Sequence, residues 1–168
     1  CYIYATPDHN AFSISQGGNN ILVAISSSLI KILKQAELKF LIGHELGHSL
    51  FGHSELTHLG HGEMDYQSTR SLREMEISAD RIGYLCANSL ENSVTAMMKI
   101  ASGLDNEFLT QDIRPFLDQS VSLANQLENG QYNKTTHPPL PLRARSLVWL
   151  STIGPFNNGK STGAIRQI

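Results

Sequence analysis

Residues 36–51 read AELKFLIGHELGHSLF, and His44-Glu45-Leu46-Gly47-His48 within them decides how the rest of the chain is read. Leu38, Leu41, Ile42 and Leu46 recur at the spacing of one helix face. The stretch is therefore expected to be a helix with a buried side. Residues four apart stand one turn above each other on an α-helix, so His44 and His48 can bind one metal ion from the same side. Glu45 projects beside that ion rather than onto it, where a carboxylate can take a proton from a water that the metal activates. The bland alternative, two His and a Glu on the wet face of a surface helix, fits poorly with this apolar periodicity. Gly47 costs a helix about 1 kcal/mol relative to Ala, and its presence implies another backbone or a substrate passing close by.

Two His are not a complete site. Catalytic zinc takes three protein ligands and leaves the fourth position to water or substrate. Completion by a third His requires H-E-x-x-H-x-x-G-x-x-H, and Gly52 and His53 each miss that register by one residue. Completion by a carboxylate puts a Glu on a later helix, often with an Asp four residues on. Glu76-Ile77-Ser78-Ala79-Asp80 fits, 28 residues after His48. Glu55, Glu63 and Glu74 compete, but none has an Asp four residues on. Asp80, one turn from Glu76, can accept the spare imidazole N–H of a metal-bound His and fix its tautomer.

With these residues in place the chain resembles the gluzincin zinc peptidase family that includes the CaaX prenyl protease and the HtpX heat-shock protease. Three further stretches carry the resemblance. Asn10-Ala11-Phe12 is similar to the N-A-F segment that precedes the active-site helix in that family. Glu76, Ala79, Asp80, Arg81 and Gly83 are similar to its E-x-x-A-D-R-x-G helix. Thr136-His137-Pro138-Pro139, with Arg143 six residues after the His, is similar to its T-H-P-P…R segment. The four matches occur in order over residues 1–150. There are departures: Ser13-Ile14-Ser15 stands where the family shows a small residue and then Gly, and Leu140-Pro141-Leu142 where it is often acidic.

The resemblance implies a zinc-dependent endopeptidase with one Zn2+ per chain, held by His44, His48 and Glu76, with Glu45 as general base and Asp80 behind the ligands. It implies a polypeptide substrate, with misfolded or membrane-associated proteins as the substrate class and a place in protein quality control. His137 is then a candidate donor to the oxyanion, against a scaffold role as a helix-entry His packed by the two prolines that follow it. Arg143 either binds a substrate carbonyl or locks the loop through Asp80 or Glu76, the ion pair being the commoner use of a helix-borne Arg. Exposed strand edges take extended peptides by β-augmentation, which makes Asn10, Ala11 and Phe12, on the strand ahead of the active-site helix, candidate substrate contacts. His9, His53, His58 and His61 lack the fixed spacing of a second metal site. The rival reading is a zinc-stabilised binding or chaperone-like module, its cleft plugged by His137 as a fourth ligand.

Composition bounds the rest. The chain has 168 residues, 40% apolar and 17% charged, with a net charge of −2. That size suits one domain with its own core, and the charge gives no sign of a nucleic-acid partner. Two cysteines, Cys1 and Cys86, make no disulfide framework, and Cys86 is expected to be a buried small hydrophobe. No apolar run reaches the roughly 18 residues of a membrane span. The start at Cys1 is read as that of an excised fragment, so that a soluble, weakly cytoplasmic domain and a membrane tether in the full-length protein both remain compatible with it.

The expected architecture is α+β and zincin-like, mostly helical with a small N-terminal β-sheet. Residues 1–5, 11–15 and 21–25 read as strands, with Gly17-Gly18-Asn19-Asn20 as a turn. Ser26 to Ser28 offer an N-cap for a helix over 29–33. Helices are expected over 36–51, 71–89, 93–102, 113–127 and 142–152. Residues 49–69 read as a polar connection and 130–141 as a Pro-rich loop. Residues 1–161 form the expected catalytic domain, and 162–168 an expected disordered tail.

Overall fold

A computed structural model describes residues 1–16, 20–52, 66–110, 112–128 and 137–153. The turn over 17–19, most of the polar connection, His53, Glu55, His58, His61, Glu63, Thr136 and the C-terminal tail lie outside the described residues.

The architecture is α+β, with helices predominating over a three-stranded N-terminal sheet. Strands β1 (Tyr2–Tyr4), β2 (Ala11–Ser15) and β3 (Ile21–Ser26) lie in the order β1-β3-β2. β3 takes the centre because its ILVAI run is apolar on both faces. It pairs parallel with β1, Tyr2 opposite Ala24, and antiparallel with β2, from Ala11 opposite Ile25 to Ser15 opposite Ile21. Val23 and Ile25 enter the core, while the opposite face leaves Phe12 and Ile14 exposed and sets the Tyr4 and Phe12 rings 5.6 Å apart.

Six helices follow among the described residues. α1 (Ser27–Ile32) starts directly from β3, with the Ser26 hydroxyl accepting from the Leu29 N–H. α2 (Gln35–Leu50) carries the motif. α3 (Tyr66–Ala87) begins five residues before its expected start, in a polar stretch where apolar periodicity gives no signal. It ends at Ala87, two residues before its expected end, and is followed by Asn88, whose φ is +50°. Ser89 caps α4 (Leu90–Ser102) by accepting from the Asn92 N–H, so this helix starts three residues before its expected start. Gly103, at φ +71°, closes it in a left-handed turn that favours glycine. α5 (Arg114–Glu128) and α6 (Leu140–Thr152) complete the chain, the latter with Pro141 in its first turn.

One core joins these elements: Val23 and Ile25 from β3, Phe40 and Leu41 from α2, Val94 and Met97 from α4, Leu117 from α5 and Leu147 from α6. α2 and α3 approach backbone to backbone. A Cβ on Gly47 would lie 2.9 Å from the Ala79 Cα, and one on Gly83 would lie 2.7 Å from the Phe40 carbonyl oxygen. Only glycine permits that approach. Cys86 departs from its expected burial. It is exposed, because it sits over the α2 backbone at Gly43, from which a Cβ would be 2.8 Å from its Sγ, at the margin of the helix pair rather than inside it.

Candidate metal centre

The close approach of α2 and α3 sets the site. His44, Glu45 and His48 come from α2, and Glu76 and Asp80 stand one turn apart on α3. The His44 and His48 Nε2 atoms are 3.0 Å apart. Glu76 Oε1 lies 3.3 Å from His48 Nε2, and Oε2 lies 3.7 Å from His44 Nε2. One ligand atom from each of these residues falls within 4.8 Å of the others, the only such metal-competent group among the described residues. Donor atoms spaced by about 3–4 Å suit a tetrahedral ion bound at about 2.0–2.2 Å, and the set of two imidazoles and a carboxylate suits zinc.

The second layer explains why the nitrogens point inward. Asp80 Oδ1 lies 3.0 Å from His44 Nδ1. An N–H at Nδ1 donating to that carboxylate leaves the Nε2 lone pair free for a cation. Arg143 Nη2 is 3.5 Å from the same Nδ1, but it donates to Asp80 Oδ1 at 2.7 Å. Two donors therefore share one carboxylate oxygen, and the longer Arg–His contact is a by-product. Arg143 Nε also reaches Asp80 Oδ2 at 2.7 Å, and Nη1 reaches Glu76 Oε2 at 2.8 Å. Of the two roles the sequence leaves open for Arg143, the structure shows the ion pair: the buried guanidinium is engaged with protein carboxylates rather than presented to a cleft.

The charges are tuned accordingly. Burial opposes ionisation of Glu76, but the His48 hydrogen bond and the charges of Arg143, His44 and His137 overcome it and hold the carboxyl down at about 2. Asp80 is fully buried, and Arg143, with help from His44, likewise keeps it below the usual carboxylate range. Glu45 behaves oppositely. Burial pushes its carboxyl up, with His44 and His48 pulling against the rise. A buried carboxylate with a raised proton affinity, beside the converging ligands, is suited to exchanging protons.

The remaining candidates lie at the rim or elsewhere. His137 Nε2 is 3.3 Å from Glu76 Oε1, on a side chain that is 68% exposed. Glu74 points away from the cluster and pairs with Arg70 at 3.0 Å in solvent. His9 packs at Gly103, on another face. Just ahead of β2, Asn10 gives its carbonyl to the Ser26 N–H and its N–H to the Ser26 hydroxyl, so its main chain is engaged with the end of β3. One contact has no signal in the sequence motifs: Ser13 Oγ donates to the backbone carbonyl of Glu45 at 2.8 Å. Only its period-two spacing from Ala11, on the strand face turned to α2, marks it beforehand.

Comparison with known proteins meets this geometry. The profile of peptidase family M48 matches residues 1–69, which include the α2 motif. The plastoglobule-localized metallopeptidase 48 of Arabidopsis thaliana chloroplasts is 29% identical over 171 residues, covering 87% of this chain and 50% of that protein. Protease HtpX of Nitrosococcus oceani is 44% identical over 46 residues, 27% of this chain and 16% of the protease. A protease HtpX homolog of Thiobacillus denitrificans is 41% identical over a stretch of the same length. The chain thus spans about half the length of the plant relative and a smaller share of the bacterial ones. No solved structure matches it. Among the described residues no helix is long and apolar enough to cross a membrane.

Proposed function

We propose that the chain, matched by the peptidase family M48 profile over residues 1–69 and similar to the plant metallopeptidase and the bacterial HtpX proteases, is a zinc-dependent endopeptidase of that family that hydrolyses polypeptides, with a role in protein quality control. The observation that carries the reading is the convergence of His44 Nε2, His48 Nε2 and the Glu76 carboxylate beside a buried Glu45 with raised proton affinity. Those three side chains would hold the zinc. When bound, zinc supplies Lewis acidity, polarising a peptide carbonyl and lowering the pKa of water.

The protein's own groups do the rest. Glu45 accepts a proton from the attacking water and returns it to the leaving amine. Its burial favours that return, because the site disfavours a lasting charge on the carboxylate. Asp80 holds the His44 ring by its Nδ1 side, and Arg143 holds Asp80 and Glu76 from behind. The ligands are thus locked before anything binds, which is the condition for precise positioning. His137, exposed at the rim beside Glu76, would donate to a developing oxyanion.

The test is Glu45→Gln. The variant keeps its fold and one zinc per chain but loses casein hydrolysis by about 10²–10⁴-fold, since an amide cannot take the proton. Robust turnover by the metal-loaded variant moves the base elsewhere. A second reading, a latent module plugged by His137, draws on the 3.3 Å approach of His137 to Glu76. Under it His137→Ala raises activity and weakens zinc binding. Under the donor role the same variant keeps its zinc and lowers kcat by about 10²-fold.

A further inference from the structure

The open edge of the sheet and the motif helix are tied together at one residue. The Ser26 N–H donates to the Asn10 carbonyl and the Gln16 N–H to the Asn20 carbonyl, each at 2.9 Å. With the register running from Ala11 opposite Ile25 to Ser15 opposite Ile21, these two contacts mark the hydrogen-bonded pairs of the ladder. Such pairs alternate along antiparallel strands. Asn10, Phe12, Ile14 and Gln16 therefore turn their main-chain groups into β3. Ala11, Ser13 and Ser15 turn theirs to the other side, where no strand among the described residues pairs with β2.

Ser13 is the central residue of that set, and its side chain falls on the face toward α2. Its hydroxyl donates to the Glu45 carbonyl oxygen at 2.8 Å. A mid-helix carbonyl has two lone pairs, and the α-helical ladder uses one, for the N–H four residues on. Ser13 takes the other without disturbing α2. The bond spans 32 residues of sequence and ends on the backbone of the residue whose side chain is the proposed base.

We propose that Ser13 is a positioning residue. Its main chain holds an extended peptide on the open edge of β2, and its hydroxyl fixes that edge to the backbone of Glu45. One residue thereby sets the distance between the bound peptide and the general base. The inference rests on the peptidase reading above. Alanine at this position has no donor for the carbonyl, and threonine keeps one. Ser13 touches none of the three metal-ligating side chains, so loss of the hydroxyl leaves metal binding intact. What suffers is the alignment of the reacting atoms, where a misplacement of about 1 Å can cost as much as 10²-fold.

The experiment compares zinc-loaded wild type, Ser13→Ala, Ser13→Thr and Ser13→Cys on one internally quenched peptide, with zinc content and thermal unfolding measured on the same samples. Ser13→Ala is expected to carry full zinc, to lower kcat by about tenfold, and to hold KM within about twofold. Ser13→Thr restores most of kcat, and Ser13→Cys, of similar size and a weaker donor, falls between. A Ser13→Ala protein with wild-type kcat overturns the proposal. So does a change confined to KM, or a Thr variant as slow as Ala. A zinc-loaded wild type that cleaves no peptide overturns the peptidase reading and the positioning role with it. Wild-type turnover matched by Ser13→Ala removes the positioning role alone.

Discussion

Helix α2 has a buried cluster of charge near each end, and the two are built to opposite specifications. At its start, Lys99 Nζ donates to Glu37 Oε2 and to the Ile32 carbonyl, both at 2.7 Å. Glu37 Oε2 also accepts the Lys34 N–H at 2.6 Å. These side chains are 0% and 2% exposed, and one cation meets one anion. Toward the other end, one guanidinium serves two carboxylates, Asp80 and Glu76, from one side. The two carboxylates carry one negative charge more than the guanidinium balances, and the two imidazole Nε2 atoms, 3.0 Å apart, face inward beside the Glu76 carboxylate. A saturated network of this kind holds helices together. A network with surplus acceptors aimed at one point calls for a cation.

The saturated pair offers the largest effect. Lys99→Met leaves Glu37 buried without its counter-charge, a loss of about 3–5 kcal/mol in urea unfolding. Adding Glu37→Gln, which keeps an acceptor for the Lys34 N–H, should recover part of that loss. Zinc affinity in the surviving folded protein is expected to be unchanged. A large drop in zinc affinity in Lys99→Met would show that the two ends of α2 are coupled, and the contrast between them would fail.

The unsaturated cluster is sharpened by acid. Without metal, Glu76 has its carboxyl held at about 2 in the folded protein against an ordinary value of 4.5. A depressed carboxyl stabilises the fold fully above about 4.5. That contribution, on the order of 3 kcal/mol, is lost as pH falls from about 4.5 toward 2. Asp80 acts in the same direction. Glu45, with its raised carboxyl, acts in the opposite sense, so metal-free Glu45→Gln should be more stable than wild type at neutral pH. Chemical unfolding of the metal-free protein at a series of pH values checks both signs. A Glu76→Gln variant with the wild-type slope between pH 4.5 and 2 would mean that Glu76 is not the group being titrated.

These two clusters were unequally legible in the sequence. His44, Glu45 and His48 announce themselves because four-residue spacing has a fixed geometric meaning on a helix. Glu76 and Asp80 repeat that spacing on a second one. The α+β class followed from alternating strands at the N-terminus and helical periodicity after it, and β2 falls on its expected residues. The Glu37–Lys99 pair was invisible, since its partners are 62 residues apart on helices whose packing no local pattern states. The sheet order was equally hidden, because strand periodicity says which residues share a face but not which strands are neighbours. Arg143 was legible as a basic residue on a helix, yet its choice between substrate and carboxylates depends on where α6 lies over α3.

Gly47 offers the smallest change and the finest test of the contrast, because it alters the distance between the two halves of the metal cluster and leaves every charged group in place. The sequence marks it only as a helix-disfavouring residue that implies a close neighbour. That neighbour is the α3 backbone, with the Ala79 Cα 2.9 Å from where a Cβ would stand. Neither backbone can yield as a flexible side chain would, so Gly47→Ala is expected to force α3 outward by a few tenths of an ångström. The better helix propensity of Ala returns about 1 kcal/mol, against an overpacking cost of about 1–3 kcal/mol, so the net change in stability is small. The ligand geometry has no such compensation. Glu76 and Asp80 ride on α3 while His44 and His48 stay on α2, so the carboxylate moves away from both imidazoles. Zinc affinity should fall by about tenfold or more, while the Glu37–Lys99 end, three turns away, is unaffected. Competition against a chelator of known affinity, run beside urea unfolding of the metal-free protein, separates the two. Weaker zinc with near-native stability supports a metal site set by helix spacing. Wild-type affinity would mean that the side chains absorb the shift, and that the close approach serves packing alone.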